Sequence, residues 1–407
     1  MALRLTIDAT RRYLALVGSA LRPGRNACVR PTPRHYLVTL PLLALLPLFA
    51  AYHWLGLLLD EILFRGYRRV PVRAPLFVLG VPRSGTTALH HALASDTRLT
   101  TWRTWECLFA TSVTWRWCWH GMGRLDRLLG GPGRRGLQRL EALLLGRIRS
   151  VHAIALDSPE EDYLALMPAL GCFVLIVLGP DAAALWRLGR FDRDLPAAQR
   201  AGLMRMYHRA VQRHLYFHGS DRQFLAKNAS FTPAVASLLE TFPDARILAC
   251  VRAPDGALAS QLNALDPTLR ALHGDYRRTV LRERFIATFD YHYRHLFAVL
   301  ARQPRGCAVL IPSRALDRDL ASTITHALRE LGLSVPPAFA RHLAALNTAR
   351  SRASGARQHD LGRFDTSTDA IQARFADIHA AFDFAAPRPI GSHELVQGHS
   401  AKTSIAA

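Results

Sequence analysis

Residues 75–94 read PLFVLGVPRSGTTALHHALA. The apolar run at the start of this stretch reads as a buried strand, Gly80 to Thr87 as a glycine-bearing loop, and the remainder as a helix. In that arrangement, backbone N–H groups and a helix N-terminus grip phosphate oxygens. A nucleotide hydrolase places lysine after the second glycine, to reach the β- and γ-phosphates, and then a hydroxyl to hold magnesium. Here Thr86 and Thr87 follow Gly85, and the cation, Arg83, lies inside the loop. The loop suits a ligand with a 5′-phosphate and a transferable group beside it better than a magnesium triphosphate, so no metal is expected. Ser84, Gly85, Thr86 and Thr87 are its predicted phosphate contacts.

Outward from the loop, ARILACVR (245–252) and CAVLIPS (307–313) are further apolar runs of strand length. SPEEDYLALM (158–167), AAQRAGLMRMYHRAVQRHLY (197–216) and TPAVASLLETF (232–242) have helical patterns. Alternation of the two predicts an α/β fold, a P-loop-like core with a central parallel sheet flanked by helices. GGPGRRG (130–136) and SRASGARQ (351–358) read as loops by composition.

FPDARILACVRAPDGALASQL (242–262) places Arg252 at a predicted strand end and Ser260 eight residues later, in the next helix. Together with PRSGTT, this pair resembles the sulfotransferases, above all their bacterial branch, and the resemblance runs over roughly residues 60–380. It implies that the donor is 3′-phosphoadenylyl sulfate (PAPS) and that Arg252 and Ser260 bind its 3′-phosphate through charge-assisted hydrogen bonds. One departure is Ser313, where relatives often carry a tyrosine near the adenine. The resemblance also implies transfer of a sulfuryl group to a hydroxyl or amine of a lipid, glycan or small molecule. A P-loop kinase or NTPase is the alternative that Thr86 speaks against. A non-catalytic nucleotide-binding membrane protein is a second alternative.

Sulfuryl transfer builds negative charge on the bridging oxygen of the leaving phosphate, which calls for a cation there. Arg83 and Lys227 are the candidates, and lysine occurs elsewhere only at position 402. The acceptor must also lose a proton. Glu106, 23 residues after Arg83, stands close to where related enzymes place a glutamate base. Its neighbours Trp102, Trp105, Leu108 and Phe109 are expected to desolvate it and raise its pKa. Glu160, Glu161 and Asp162 resemble a helix N-terminus with a possible substrate-side role. His90 and His91 are weaker bases in this reading, and His152 and His359 weaker still.

The chain has 407 residues, and Lys+Arg 52 against Asp+Glu 31 gives a net charge of +21. Anionic partners are implied: a polyphosphorylated donor and a membrane surface are expected, nucleic acid is not, and oligomeric state stays open. Six scattered cysteines form no close pair of zinc or redox type. The first 35 residues hold seven arginines, and Tyr36 to Leu59 then carry no formal charge. As a helix that run extends about 36 Å, enough to cross a bilayer core, and Pro47 is expected to kink it. A membrane-associated segment or a hairpin packed on the domain are the two readings. The predicted organisation is a basic, membrane-associating segment (1–70), the transferase domain (71–386) and a flexible tail (387–407). The acceptor triplet Asn228-Ala229-Ser230 lies beside Lys227, which weighs against a glycosylating lumen. The expected location is therefore the cytoplasmic face of a bacterial inner membrane, with the cytoplasm, or a Golgi-type membrane in a eukaryote, as the alternatives.

Overall fold

The computed structural model describes residues 2–136, 139, 156–353, 360–382, 384 and 388–389. Two long helices come first, α1 (Ala2–Leu21) and α2 (Pro33–Leu63). The α/β body follows with β1 (Leu76–Gly80), α3 (Thr86–Leu93), β2 (Leu99–Thr100), α4 (Thr104–Phe109), α5 (Val113–Leu128) and α6 (Ala197–His218). Then come β3 (Gln223–Lys227), β4 (Arg246–Val251), α7 (Pro254–His273), α8 (Arg278–Leu300), β5 (Ala308–Pro312) and β6 (Arg388–Pro389), with shorter helices between.

The sheet order is β2-β3-β1-β4-β5-β6. The first five strands in that order are parallel, and β6 closes the β5 edge antiparallel. Parallel strands covered on both faces must be apolar throughout, and β1, β4 and β5 are the three runs visible as such in the sequence. Phe77 and Leu79 point to the layer containing α6 and α8, while Leu76 and Val78 point to α3 and the helix Leu320–Glu330. Because β3 and β4 flank β1 on opposite sides, connections leave β1 in both directions. The strand ends at such a reversal are the usual ligand position in sheets of this kind.

Several local expectations change. SPEEDYLALM forms a 3-10 helix at Asp162–Ala169, with Pro168 inside it, instead of an α-helix. Within GGPGRRG, only the two glycines form a turn, and residues 132–136 are helical. Residues 351–353 extend the helix Pro337–Ala353, and 354–359 lie outside the described residues. At the tail, Arg388–Pro389 pair with β5, and residues 390–407 lie outside the described residues. The apolar run belongs to one helix of 31 residues that continues past Pro41 and Pro47.

Candidate functional site

The loop leaves β1 through a close backbone approach. A Cβ on Gly80 would lie 2.1 Å from the Cys250 carbonyl oxygen on β4, so only glycine fits. Arg83 (φ 70) and Gly85 (φ 94) both adopt the left-handed conformation, which a non-glycine residue holds at a cost of about 1–2 kcal/mol. The turn delivers the chain into the N-terminus of α3, whose first amides have no partner within the helix. Ser84 is buried, its hydroxyl donating to Val81 O at 2.6 Å. The Thr232 hydroxyl bridges the Gly80 carbonyl and amide, tying the loop root to the segment after β3.

Arg252 and Ser260 converge on this loop. Arg252 stands directly after β4, and its Nη1 donates to the Arg83 carbonyl at 3.4 Å. Arg83 Nε donates to Ser260 Oγ at 3.0 Å. The Arg252 carbonyl accepts from the Tyr293 hydroxyl on α8, which anchors the strand end. Arg83, assigned from sequence to the 5′ side, thus touches a hydroxyl assigned to the 3′ side. Ser313 begins the helix after β5, on the side of the loop near Gly85.

Lys227 ends β3 on the other side of β1, in register with Val78. It is almost completely buried, and its Nζ donates to Glu161 Oε1 at 2.5 Å. The segment carrying Glu161 is fixed beside the strand by Asp162, which accepts from the Tyr207 hydroxyl and from Asn228 Nδ2. Burial pushes the Asp162 carboxyl up to about 7, with the Tyr207 hydrogen bond opposing the rise. His91 keeps one side open to solvent, its Nε2 3.3 Å from the Pro159 carbonyl, and partial desolvation of its ring, opposed by that hydrogen bond and aided by the nearby Lys227 charge, lowers its pKa. His90 is fully buried beneath it, with Nε2 2.7 Å from Thr101 Oγ1.

Glu106 is turned elsewhere. Its carboxylate is completely buried against α5 and α6, with Arg116 Nε at 3.1 Å and His218 Nε2 at 2.7 Å from Oε1. Oε2 accepts the Arg103 amide of its own helix at 3.0 Å. Burial alone would raise the pKa, but Arg116, His218 and that amide outweigh it and hold Glu106 below the ordinary carboxylate value. This corrects the expected upward shift. The aromatic neighbours do remove water, yet Trp102 also stacks on the Arg116 guanidinium at 4.8 Å, so the pocket contains a full positive charge. Glu106, His214 and His218 have donor atoms within 4.8 Å of one another, as metal ligands do. The Arg116 guanidinium stands beside two of the three, its Nε 3.1 Å from Glu106 Oε1 and its Nη2 3.5 Å from His214 Nδ1.

Of the residues expected from sequence, the fold gathers Arg83, Ser84, Gly85, Thr86, Thr87, Lys227, Arg252 and Ser260 at one set of strand ends, while the Glu106 carboxylate pairs with Arg116 on α5 and His218 on α6. His152 and His359 lie outside the described residues. The sequence reading missed Arg116, His214 and His218. The four-residue spacing of the two histidines was a legible sign of a shared helix face. Nothing marked Arg116, which becomes special only through its burial.

The buried histidines carry a pH prediction. Burial pulls His53 and His292 to about 4, and His90 and His214 well below the usual value. Each folded pKa lies below the unfolded value of about 6.5, so the unfolded chain binds more protons between pH 4 and 6.5. Stability present above pH 6.5 is therefore lost as pH falls through that window. Asp162 acts in reverse, its contribution being lost as pH rises through about 7, but it is one group against four. Thermal unfolding at pH 5 should give a lower Tm than at pH 7.5, and an equal or higher Tm would contradict this assignment.

Residues 75–337 match the family model described as "Sulfotransferase family". Comparison with curated proteins gives no match. Among solved structures, sulfotransferase STF9 from Mycobacterium avium superposes with a TM-score of 0.70 at 17% identity, covering 93% of this chain and 95% of that one. Sulfotransferase STF1 from Mycobacterium tuberculosis H37Rv gives 0.63 at 18% identity, covering 91% and 92%. At these identities the likeness is one of fold.

Proposed function

Because the chain belongs to the sulfotransferase family, we propose that it transfers a sulfuryl group from 3′-phosphoadenylyl sulfate to an acceptor hydroxyl or amine, with Glu161 taking the acceptor proton. The observation that carries this reading is the convergence of Arg83, Arg252 and Ser260 on the loop, with the Lys227–Glu161 pair across β1. A ligand with phosphates at both 5′ and 3′ positions matches two such groups of donors around one loop. The donor supplies the sulfuryl group, and the chain's residues position it and balance its charge.

Loop amides and the start of α3 hold the 5′ side. Arg252 and Ser260, joined by Arg83, hold the 3′-phosphate. Lys227 is the cation for the bridging oxygen, where charge grows as the sulfur–oxygen bond breaks. Its move toward that oxygen frees the Glu161 carboxylate, which then removes the proton from the attacking acceptor. Glu161 takes the base role in place of Glu106 because it pairs with Lys227 at the end of β3 with a side chain that is partly open, whereas the Glu106 carboxylate is completely buried and held by Arg116 and the half-buried His218. No residue in this scheme needs a metal.

Calorimetry with PAP, the desulfated product, tests the donor assignment in EDTA. Arg252→Glu should weaken PAP by about 10- to 150-fold, the worth of a charged hydrogen bond, and barely change 5′-AMP, which lacks the 3′-phosphate. Equal losses for both ligands would remove Arg252 from that subsite. The acceptor class is approached by comparing sulfated lipids, glycans and metabolites of cells with and without the gene. Location at the cytoplasmic face of a bacterial membrane fits this scheme, since Asn228 is completely buried and has no room for a glycan.

A further inference from the structure

Helix α2 buries one face, which mixes apolar and polar side chains, and leaves an apolar face exposed. His35, Thr39, Leu43, His53, Leu57 and Asp60 are buried against the rest of the chain. The opposite positions, Leu37, Pro41, Leu48, Leu55, Leu58 and Ile62, are exposed at the three- and four-residue intervals of one helix face, or multiples of them. That ridge runs about 37 Å at about 1.5 Å per residue. Helix α5 crosses α2 at Gly56, where an added Cβ would meet the Trp115 indole at 2.3 Å. Tyr52 stacks on Trp115 with centroids 4.6 Å apart and accepts a hydrogen bond from Trp119 Nε1 at 3.1 Å. Beyond the crossing, α5 exposes Trp117, Trp119, Met122, Leu125 and Leu128. Soluble surfaces rarely leave an apolar face of this extent without a use.

Length alone would let α2 span a bilayer, but its attachments do not. His35, near its start, bonds His273 and the Ala20 carbonyl. His53 bonds Thr111 and the Leu108 carbonyl. Asp60, near its end, accepts from the Val113 and Thr114 amides and pairs with Arg213 at 2.8 Å. Both ends are tied to one polar body, and pulling the helix across a bilayer would submerge that body or break buried pairs.

We propose that the joint face of α2 and α5 docks in the plane of an anionic lipid bilayer, its apolar ridge at the acyl boundary and Trp117 and Trp119 at headgroup level. Charge selects this occupant. Exposed Arg34 stands at the start of the ridge, Arg65, Arg68 and Arg69 follow its end, and Arg124 and Arg127 are exposed on α5. A second copy would bring these arginines and two net charges of +21 together, whereas acidic headgroups neutralise them. The inference is independent of the transfer reaction and goes beyond it.

The test is flotation of the full-length protein with vesicles of phosphatidylcholine, alone or mixed with phosphatidylglycerol. Wild type should float with the mixed vesicles, more weakly at high salt. Leu48→Glu/Leu55→Glu and, separately, Met122→Glu/Leu125→Glu should lower partitioning by about tenfold or more. These side chains are exposed, Leu48 at 67%, so folding should persist, and unchanged PAP binding would verify it. The proposal falls if wild type stays unbound or if the variants float equally. It also falls if a dimer broken by Leu48→Glu excludes vesicles, which gives the face to a second copy. Resistance of the native protein to alkaline carbonate extraction would make α2 a span and overturn planar docking.

Discussion

Glu161→Gln is expected to lower turnover per folded molecule by about 10²–10⁴, the range for loss of a general base, while leaving PAP affinity close to wild type. The amide oxygen still accepts from Lys227 Nζ, but the buried lysine loses its counter-charge, so some Tm is lost as well, and turnover is read per folded molecule. The measurement is transfer of labelled sulfate from the donor into a cell extract, with donor binding followed separately. Lys227→Ala should fall in the same range, because it removes the charge facing the leaving oxygen. An active Glu161→Gln enzyme would end the assignment of Glu161 as base.

Glu106→Gln should behave in the opposite manner, as a folding defect. It leaves the Arg116 guanidinium buried without its counter-charge, at 0% exposure for both side chains, and breaking such a pair typically costs about 3–5 kcal/mol. The Glu106→Gln/Arg116→Met double variant should recover much of that loss, since removing both charges also removes their desolvation. Urea unfolding measures the cost, and turnover per folded molecule should stay within severalfold of wild type. A variant as stable as wild type but without turnover would return the base role to Glu106.

Much of the site was legible along the chain because its parts are local. The loop is a contiguous string whose glycines and helix start need no distant residue to be recognised, and the Arg252–Ser260 pair is eight positions long. Strands β1, β4 and β5 were equally visible, since burial on both faces leaves unbroken apolar runs. β3 was not seen as a strand, because QFLAK mixes polar ends with a short apolar middle and acquires its strand character from pairing with β1.

By itself the sequence determined the family and the strand, loop and helix that open it, both of which depend on residue type at short spacing. Tertiary structure alone decided which carboxylate pairs with Lys227. Glu161 and Glu106 both follow tryptophan- or proline-containing turns and look alike as acids. One is brought 2.5 Å from Lys227 across 66 positions, and the other is buried beside Arg116. The same holds for α2, whose apolar run leaves a membrane-associated segment and a packed hairpin both open until His35, His53 and Asp60 find partners in the folded body. Electrostatic and hydrogen-bond energies depend on distances in space, and residue order does not contain those distances until the chain has folded.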